Sequence, residues 1–327
     1  MHVLILGAAG MIGRKLTERL VADASLGRRP IERLTLVDIV TPQVPARSLF
    51  PVAAEACDFA VPGAAERMLA GKPDIIFHLA AIVSGEAEAD FSKGLRINLD
   101  GTRHLFDAIH GEMAGRPPRV VFTSSIAVFG APFPEAISDN FHHTPLTSYG
   151  TQKAICELLL ADYSRRGFLD GIGIRLPTIC VRPGKPNKAA SGFFSGIIRE
   201  PLNGEDALLP VGDEVRHWQA SPRSAVGFLI HAATIDTSCL ADRRNLTMPG
   251  LSVTVAEQIA SLRRVAGDRV VDRIRREPDP VIARIVQGWP RNFDAARAAK
   301  LEFRLVERDF DDIIRFHIDD ELAGRVF

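Results

Sequence analysis

The sequence is short of the features that mark specialised classes of protein. Across 327 residues there are four cysteines, Cys57, Cys156, Cys180 and Cys239, scattered without paired spacing. That argues against a disulfide framework and against a zinc site. The neighbouring His142 and His143 lack companion ligands and fall in a proline-flanked loop, so no metal is expected. Charge of one sign is missing too. Forty basic residues balance forty acidic ones, and no basic field points to nucleic acid or to a membrane surface. No long apolar run, internal repeat or low-complexity stretch stands out, and the chain enters a strand-like run at once with no basic leader. These absences set the expectation of a globular cytoplasmic protein without a membrane span.

What is present reads as an ordinary folded enzyme. Hydrophobic residues make up 46% and charged residues 24%, normal proportions for a globular chain. The length suffices for one large core or two moderate ones. Apolar strand-like runs alternate with helical stretches as far as Gly173-Ile-Arg-Leu-Pro177. That alternation predicts an α/β fold built on a doubly wound parallel sheet. Beyond it, Cys-Val-Arg-Pro-Gly-Lys-Pro-Asn-Lys at 180–188 cannot form an uninterrupted helix. A helix is expected over 224–234. Helical stretches at 255–266 and 280–287 with a charged tail predict a small, mainly helical lobe.

Two local patterns carry chemistry. The apolar run His-Val-Leu-Ile-Leu at 2–6 leads directly into Gly7-Ala-Ala-Gly10-Met11-Ile12-Gly13. A glycine-rich turn between strand and helix offers backbone N–H groups and a positive dipole end to a phosphate. The alternative is a tight strand–helix crossing that needs glycine for packing alone. Further on, Ser-Tyr-Gly-Thr-Gln-Lys places Tyr149 four residues before Lys153, on one face of a helix. Alone, that pair is more commonly a surface tyrosine beside a solvated lysine. Together the two patterns read as an oxidoreductase with a dinucleotide cofactor.

The glycine spacing differs from the usual Gly-x-Gly-x-x-Gly and resembles the turn of the extended short-chain dehydrogenases, the NAD-dependent epimerase/dehydratase family. Further matches follow in order. Arg-Leu-Thr-Leu-Val-Asp38 is an apolar strand ending in an acid, roughly 20 or more residues past the glycines, where an acid suits the adenosine ribose hydroxyls. A 2′-phosphate would be repelled there and no Arg follows Asp38, which favours NAD over NADP. The resemblance implies that Asp58 and Phe59 surround the adenine. Leu79, Ala80 and Ala81, after His78, lie against the cofactor, and His78 is read as a packed strand-end residue. By the same resemblance Asn98, in Asn-x-x-Gly-Thr, would steady the strand ends under the nicotinamide; the alternative is a satisfied helix asparagine. Ser124-Ser125-Ile-Ala-Val-Phe-Gly places the catalytic serine at Ser125, with Ala127 where many relatives carry Thr. Pro145 precedes Tyr149 at the family's offset. Pro177 and Thr178 are implied to lie beside the nicotinamide. The expected fold is then a Rossmann domain of residues 1–177 with about 217–246, and a substrate lobe of about 178–216 with 247–327. Oligomeric state is not readable from the residues; the two helices flanking the active-site strands form a four-helix dimer contact in many relatives, so the resemblance admits a homodimer.

The chemistry explains the residue types. A free tyrosine titrates near ~10, too high for a useful base at neutral pH. An ammonium a few ångström away favours the phenolate. The resemblance assigns Tyr149 the substrate hydroxyl proton, Ser125 a hydrogen bond to the reacting oxygen, and Lys153 a second contact with the nicotinamide ribose. For the substrate, Arg182, Lys185, Arg216 and Arg223 are cations in segments expected near the pocket, and an Arg fork suits a carboxylate. Arg182 and Arg216 are the preferred pair. Ser84 suits a hydroxylated substrate, or else caps a helix. The stretches at 81–86 and 175–184 resemble a subfamily that oxidises the C2 hydroxyl of a four-carbon sugar acid with NAD. A nucleotide-sugar epimerase of the same family is the competing reading. A dinucleotide sensor without catalysis is the third, although it would be expected to lack the Tyr or the Lys.

Overall fold

The computed structural model describes residues 1–184 and 190–326, in two compact units. The first comprises Met1–Val128, Thr147–Arg175 and Val226–Leu246. Its centre is a seven-stranded sheet of β1 (His2–Leu6), β2 (Arg33–Asp38), β3 (Val52–Ala56), β4 (Ile75–His78), β5 (Arg119–Ser125), β6 (Asp170–Leu176) and β7 (Asn245–Thr247). In space the order is β3-β2-β1-β4-β5-β6-β7. The pairings of β1 with β2 and β4, of β2 with β3, and of β4 with β5 are all parallel. The chain therefore winds outward in one direction from β1 to β3 and in the other from β4 onward. Ligands of such sheets bind beyond the carboxyl ends of the strands at that reversal, here between β1 and β4.

The strands read as unbroken apolar runs because parallel strands are covered on both faces; Val3, Leu4 and Ile5 are wholly buried. Helices α1 (Met11–Asp23), α2 (Gly101–Glu112) and α3 (Ser148–Arg165) supply cover. Leu105, Phe106 and Ile109 of α2 and Cys156 and Leu160 of α3 join Leu4, Ile76 and Phe122 of the strands in one core. Each fully buried phenylalanine there contributes roughly 1.5–3 kcal/mol. Helix α3 starts at Thr147, whose side chain accepts a hydrogen bond from the Gly150 N–H. That cap fixes the first turn, and with it the direction of Tyr149 and Lys153.

The second unit comprises Phe129–Leu146, Leu176–Ala225 and Thr247–Phe327. Its core joins Phe194, Ile197 and Ile198 of helix Gly192–Leu202, Leu262 of helix Val255–Ala266, and Ile313 and Ile314 of helix Phe310–Glu321. Strand Arg216–Ala220 lies between Thr178–Ile179, parallel, and Leu251–Thr254, antiparallel. Thr254 caps helix Val255–Ala266 in a capping box with Glu257. The expected division of the chain differs from these units at three places, the shortest being residues 176 and 177, which fall in the second unit. Residues 129–146 belong to the second unit, where Ile137–Ser138 pairs with Phe293–Asp294. Residues 217–225 do too, because strand Arg216–Ala220 is bonded on both edges within that unit. Lys185 lies outside the described residues. Among those described, no helix is long and apolar enough to cross a membrane.

Candidate active site

The glycine turn closes at the carboxyl end of β1. Gly7 and Ala8 both donate to the Val37 carbonyl, at 2.8 and 3.1 Å. Ala9 N–H donates to the Asp38 carboxylate at 2.8 Å. Gly7 has φ +88°, and a Cβ there would stand 2.6 Å from the Ala80 nitrogen; at Gly13 it would stand 2.2 Å from the Gly7 carbonyl. Both glycines are thus fixed by the protein's own packing. Gly10 is different: its Cβ would meet only the Gly7 carbonyl, at 3.4 Å. Gly10 is exposed at the start of α1, leaving the helix terminus open to an approaching anion. Met11 and Ile12 follow it half-buried.

Asp38 ends β2 half-buried, and besides Ala9 it accepts from Ile39 N–H at 2.7 Å. Asp58 is held by Arg96 at 2.8 Å. Phe59, by contrast, is a core residue, packed edge-on to His78 at 5.4 Å. A contribution of Phe59 to an adenine site would therefore come from its backbone. His78 is buried and burial pushes its pKa down to about 3. Its Nε2 lies 2.9 Å from Thr102 Oγ1, which itself donates to the Asn98 carbonyl. His78 is a neutral packing residue, as the sequence reading had it.

Leu79, Ala80 and Ala81 are half-buried at the end of β4. The loop they open is pinned by Asn98, which sits in a π-helical turn, Leu95–Asp100. Its amide accepts from Ile82 N–H at 2.9 Å and donates to the Ile82 carbonyl at 3.2 Å. It also donates to Gln152 Oε1 at 2.8 Å, tying the loop to α3 beside Lys153. Ser84 is the first residue of helix Ser84–Ala89; Val83 holds the cap position, so Ser84 is not the capping residue.

Tyr149 is half-buried and Lys153 is buried, one turn apart on α3. The Lys153 ammonium donates to the Thr123 carbonyl at 2.8 Å. It lies 5.7 Å from the centre of the Tyr149 ring and 4.7 Å from that of Phe122. Burial pushes its pKa down to about 8, against the raising influence of Cys156 and Glu157. Ser125 ends β5, and its Oγ accepts from Ala127 N–H at 3.1 Å. The first unit thus gathers the glycine turn, Asp38, Asn98, Ser125, Tyr149 and Lys153 on the carboxyl ends of β1, β2 and β5 and the helices that follow.

The remaining predicted residues belong to the second unit. Pro177 is buried and Thr178 half-buried. The Arg182 guanidinium donates to the Ile179 carbonyl and to Ser191 Oγ, both at 3.1 Å. Arg216 donates to the Ser252 carbonyl at 2.6 Å and stands 3.5 Å from Glu257. Arg223 pairs with Asp320 at 2.6 Å and lies over Phe316, which makes it a surface brace.

A model of the NAD dependent epimerase/dehydratase family matches residues 3–221. The chain belongs to this family. It is an enzyme and NAD is its cofactor, as the family description and the glycine turn agree. Over 324 residues, 98% of each chain, it is 46% identical to D-erythronate dehydrogenase of Cupriavidus necator. It is 41% identical over 322 residues to D-erythronate dehydrogenase of Haemophilus influenzae, covering 98% of this chain and 100% of that one. A crystal structure of the nucleoside-diphosphate-sugar epimerase from Agrobacterium tumefaciens matches with TM-score 0.96 and 64% identity, over 99% of this chain and 95% of that one.

Within this family member, one group beside the site escaped the sequence reading. Glu157 is wholly buried on α3 and holds Arg175 of β6 through both Nε and Nη2, at 2.8–3.1 Å. Its Oε1 also accepts from Ser124 Oγ at 2.5 Å. The signal available was spacing: Glu157 stands four residues after Lys153 and eight after Tyr149, on the same helix face. Its partner Arg175, 18 residues on, has no local cue.

Proposed function

We propose that the protein oxidises a small sugar acid, D-erythronate, at its C2 hydroxyl to the 2-oxo acid, with NAD as oxidant. The observation that carries the reading is the buried Lys153 ammonium within 5.7 Å of the Tyr149 ring, in a chain alike along its length to two D-erythronate dehydrogenases. Gly7, Gly10, Met11, Ile12 and Gly13 would hold the cofactor phosphates, and Asp38 the adenosine ribose. Asp58, the Phe59 backbone, Leu79, Ala80 and Ala81 would line its adenine half and flank. Asn98, Lys153, Pro177 and Thr178 serve its nicotinamide half. The open Gly10 and the acceptor at Asp38 fit such a ligand. When bound, NAD accepts the hydride released from C2.

The protein's own groups move the proton. Tyr149, as phenolate, takes it from the C2 hydroxyl while Ser125 donates a hydrogen bond to the same oxygen, and the C2–H electron pair departs as hydride. Lys153 favours the phenolate by its charge. Ser84, Arg182 and Arg216 are the groups proposed for the rest of the substrate, with an arginine on its carboxylate. Turnover is measured as NADH formed from D-erythronate. Tyr149→Phe is expected to lower it by about 10²-fold or more while NAD binding, followed by fluorescence, changes little; near-normal turnover would remove the mechanism.

A second reading, sugar-nucleotide epimerisation, is favoured by the description of the Agrobacterium protein. An epimerase returns the hydride to its substrate and yields no net NADH, so bulk NAD reduction separates the two. We further infer a homodimer through α2 and α3, supported by Leu158 of α3 with 65% of its surface exposed and Ile155 one turn before it. A cytoplasmic setting suits the four free thiols.

A further inference from the structure

His217 lies on strand Arg216–Ala220, next to the strand that carries Thr178, where Thr178 pairs with Gln219. Its ring is buried and stacked on Phe194 at 5.2 Å with an interplanar angle of 3°, while Trp289 packs at 5.3 Å. The ring is therefore held in one plane. Nδ1 lies 3.0 Å from the Pro290 carbonyl, and Nε2 lies 2.7 Å from Thr178 Oγ1. A carbonyl oxygen only accepts, so Nδ1 carries the ring hydrogen. Burial pushes the His217 pKa down to about 4, so at neutral pH the ring has a single N–H, and Nε2 can only accept. Thr178 must then donate its one hydroxyl hydrogen to His217.

We propose that His217 is a positioning residue that fixes Thr178 Oγ1 as a hydrogen-bond acceptor toward the bound ligand. A free threonine hydroxyl accommodates either a donor or an acceptor. This one, its hydrogen committed to the ring, has only lone pairs to offer. The ligand group facing half-buried Thr178 is consequently a donor, an N–H or O–H, and a carbonyl in that place is rejected. The inference rests on the reading of Thr178 as a ligand-facing residue. Two ligand sources share the donor chemistry: the carboxamide N–H of the nicotinamide and a hydroxyl of the sugar acid. Discrimination of this polar kind is large when the wrong group leaves a buried partner unpaired.

Nitrogen NMR of the ring in the unliganded protein, assigned by difference against His217→Gln, reads the tautomer without any turnover. A hydrogen on Nδ1 and a bare Nε2 are expected; a hydrogen on Nε2, or an imidazolium at pH 7, overturns the proposal. Kinetics then test the consequence. His217→Phe keeps the stacking but removes the acceptor, His217→Gln retains one through its amide oxygen, and His217→Leu serves if the Phe variant does not fold. Removing the acceptor should raise one KM about tenfold with kcat within about threefold, and the Gln variant should recover most of it. A rise in the KM for NAD assigns the donor to the carboxamide, and a rise in the KM for the sugar acid assigns it to a substrate hydroxyl. If the donor is the carboxamide, preference for NAD over its 3-acetylpyridine analogue, which lacks the N–H, should fall about tenfold in the Phe variant. Thr178→Val combined with His217→Phe should cost no more than Thr178→Val alone. Additive losses, or unchanged KM values in both acceptor-free variants, overturn the proposal. Failure of the unaltered enzyme to oxidise D-erythronate would instead overturn the substrate reading, and leaves the tautomer result standing.

Discussion

Lys153 on α3 donates its ammonium hydrogen to the backbone carbonyl of Thr123 on β5, 2.8 Å away. The bond crosses from helix to strand and joins the element bearing Tyr149 to the one bearing Ser125. Thr123 in turn donates its hydroxyl to the His78 carbonyl at 3.0 Å, at the end of β4. Two buried side chains thus tie three elements of the site together, and the ammonium one turn from Tyr149 is held in place by backbone.

That arrangement carries an electrostatic cost with a definite sign. The folded pKa of Lys153 is about 8, below the 10.5 of a free amine. Between those values the unfolded chain binds more protons than the folded one, so this group makes stability rise with pH there. The cost is in full force below about pH 8. Lys153→Met, which removes the buried charge and keeps an unbranched chain one atom shorter, is expected to melt at the same temperature as the unaltered protein or higher at pH 7. The difference between the two should then move in favour of the unaltered protein as pH rises from 8 to 10, while turnover of the variant falls about 10²-fold or more. Calorimetric melts across that range check it, and a Met variant much less stable at pH 7 would show that the ammonium is net stabilising.

Cofactor preference turns on Asp38. Its carboxylate accepts from Ala9 and Ile39, which aims it across the glycine turn; in the proposed function it faces the adenosine ribose, where its charge would repel a 2′-phosphate. NAD is expected to be used in preference to NADP, and Asp38→Ala to narrow the gap. Comparing kcat/KM for the two cofactors in both proteins decides the matter. More efficient use of NADP by the unaltered enzyme would displace Asp38 from the ribose.

The parts of the site legible in the sequence were those whose partners lie nearby in the chain. The glycine turn is seven residues of backbone, and Tyr149 and Lys153 share a helix face through their spacing. Polar partners drawn from distant segments left no such trace. Asn98 meets Gln152 across 54 residues and Thr178 meets His217 across 39. Glu157 is identifiable as a buried acid only once β6 brings Arg175 to it. At Phe59 the core claims the side chain, so any part it takes in the adenine site falls to its backbone. The Ile137–Ser138 strand, too short for any periodic signal, joins the second unit through a partner 156 residues away.

The Glu157–Arg175 pair is wholly enclosed, with side-chain exposures of 0% and 6%. Glu157→Gln leaves the guanidinium without its counter-charge, and breaking a buried pair from one side costs about 3–5 kcal/mol. A clear fall in the urea midpoint is expected, with activity lost in parallel because Ser124 and α3 lose their common anchor. Replacing both partners, Glu157→Leu with Arg175→Met, should recover much of the stability. If the double variant is no more stable than Glu157→Gln, the loss comes from packing rather than from the stranded charge.

The substrate carboxylate is the remaining test, and Arg182 is the residue placed to meet it by the proposed function. Its backbone N–H donates to Ser195 Oγ at 3.0 Å, and its guanidinium is steadied by the Ile179 carbonyl and Ser191. Those bonds orient the fork in advance, which lowers the ordering cost of gripping a planar anion. Arg216 is the weaker choice, since the Glu257 carboxylate 3.5 Å away already supplies it with a counter-charge. A charged hydrogen bond contributes ~1.5–3 kcal/mol, so Arg182→Ala is expected to raise the KM for D-erythronate roughly 10- to 100-fold, with a smaller change for Arg216→Ala. The four-carbon polyol without the carboxylate should be a poor substrate for the unaltered enzyme and lose little further in Arg182→Ala. Equal efficiency on acid and polyol would mean that no cation grips the carboxylate, and that selectivity is set by the hydroxyls alone.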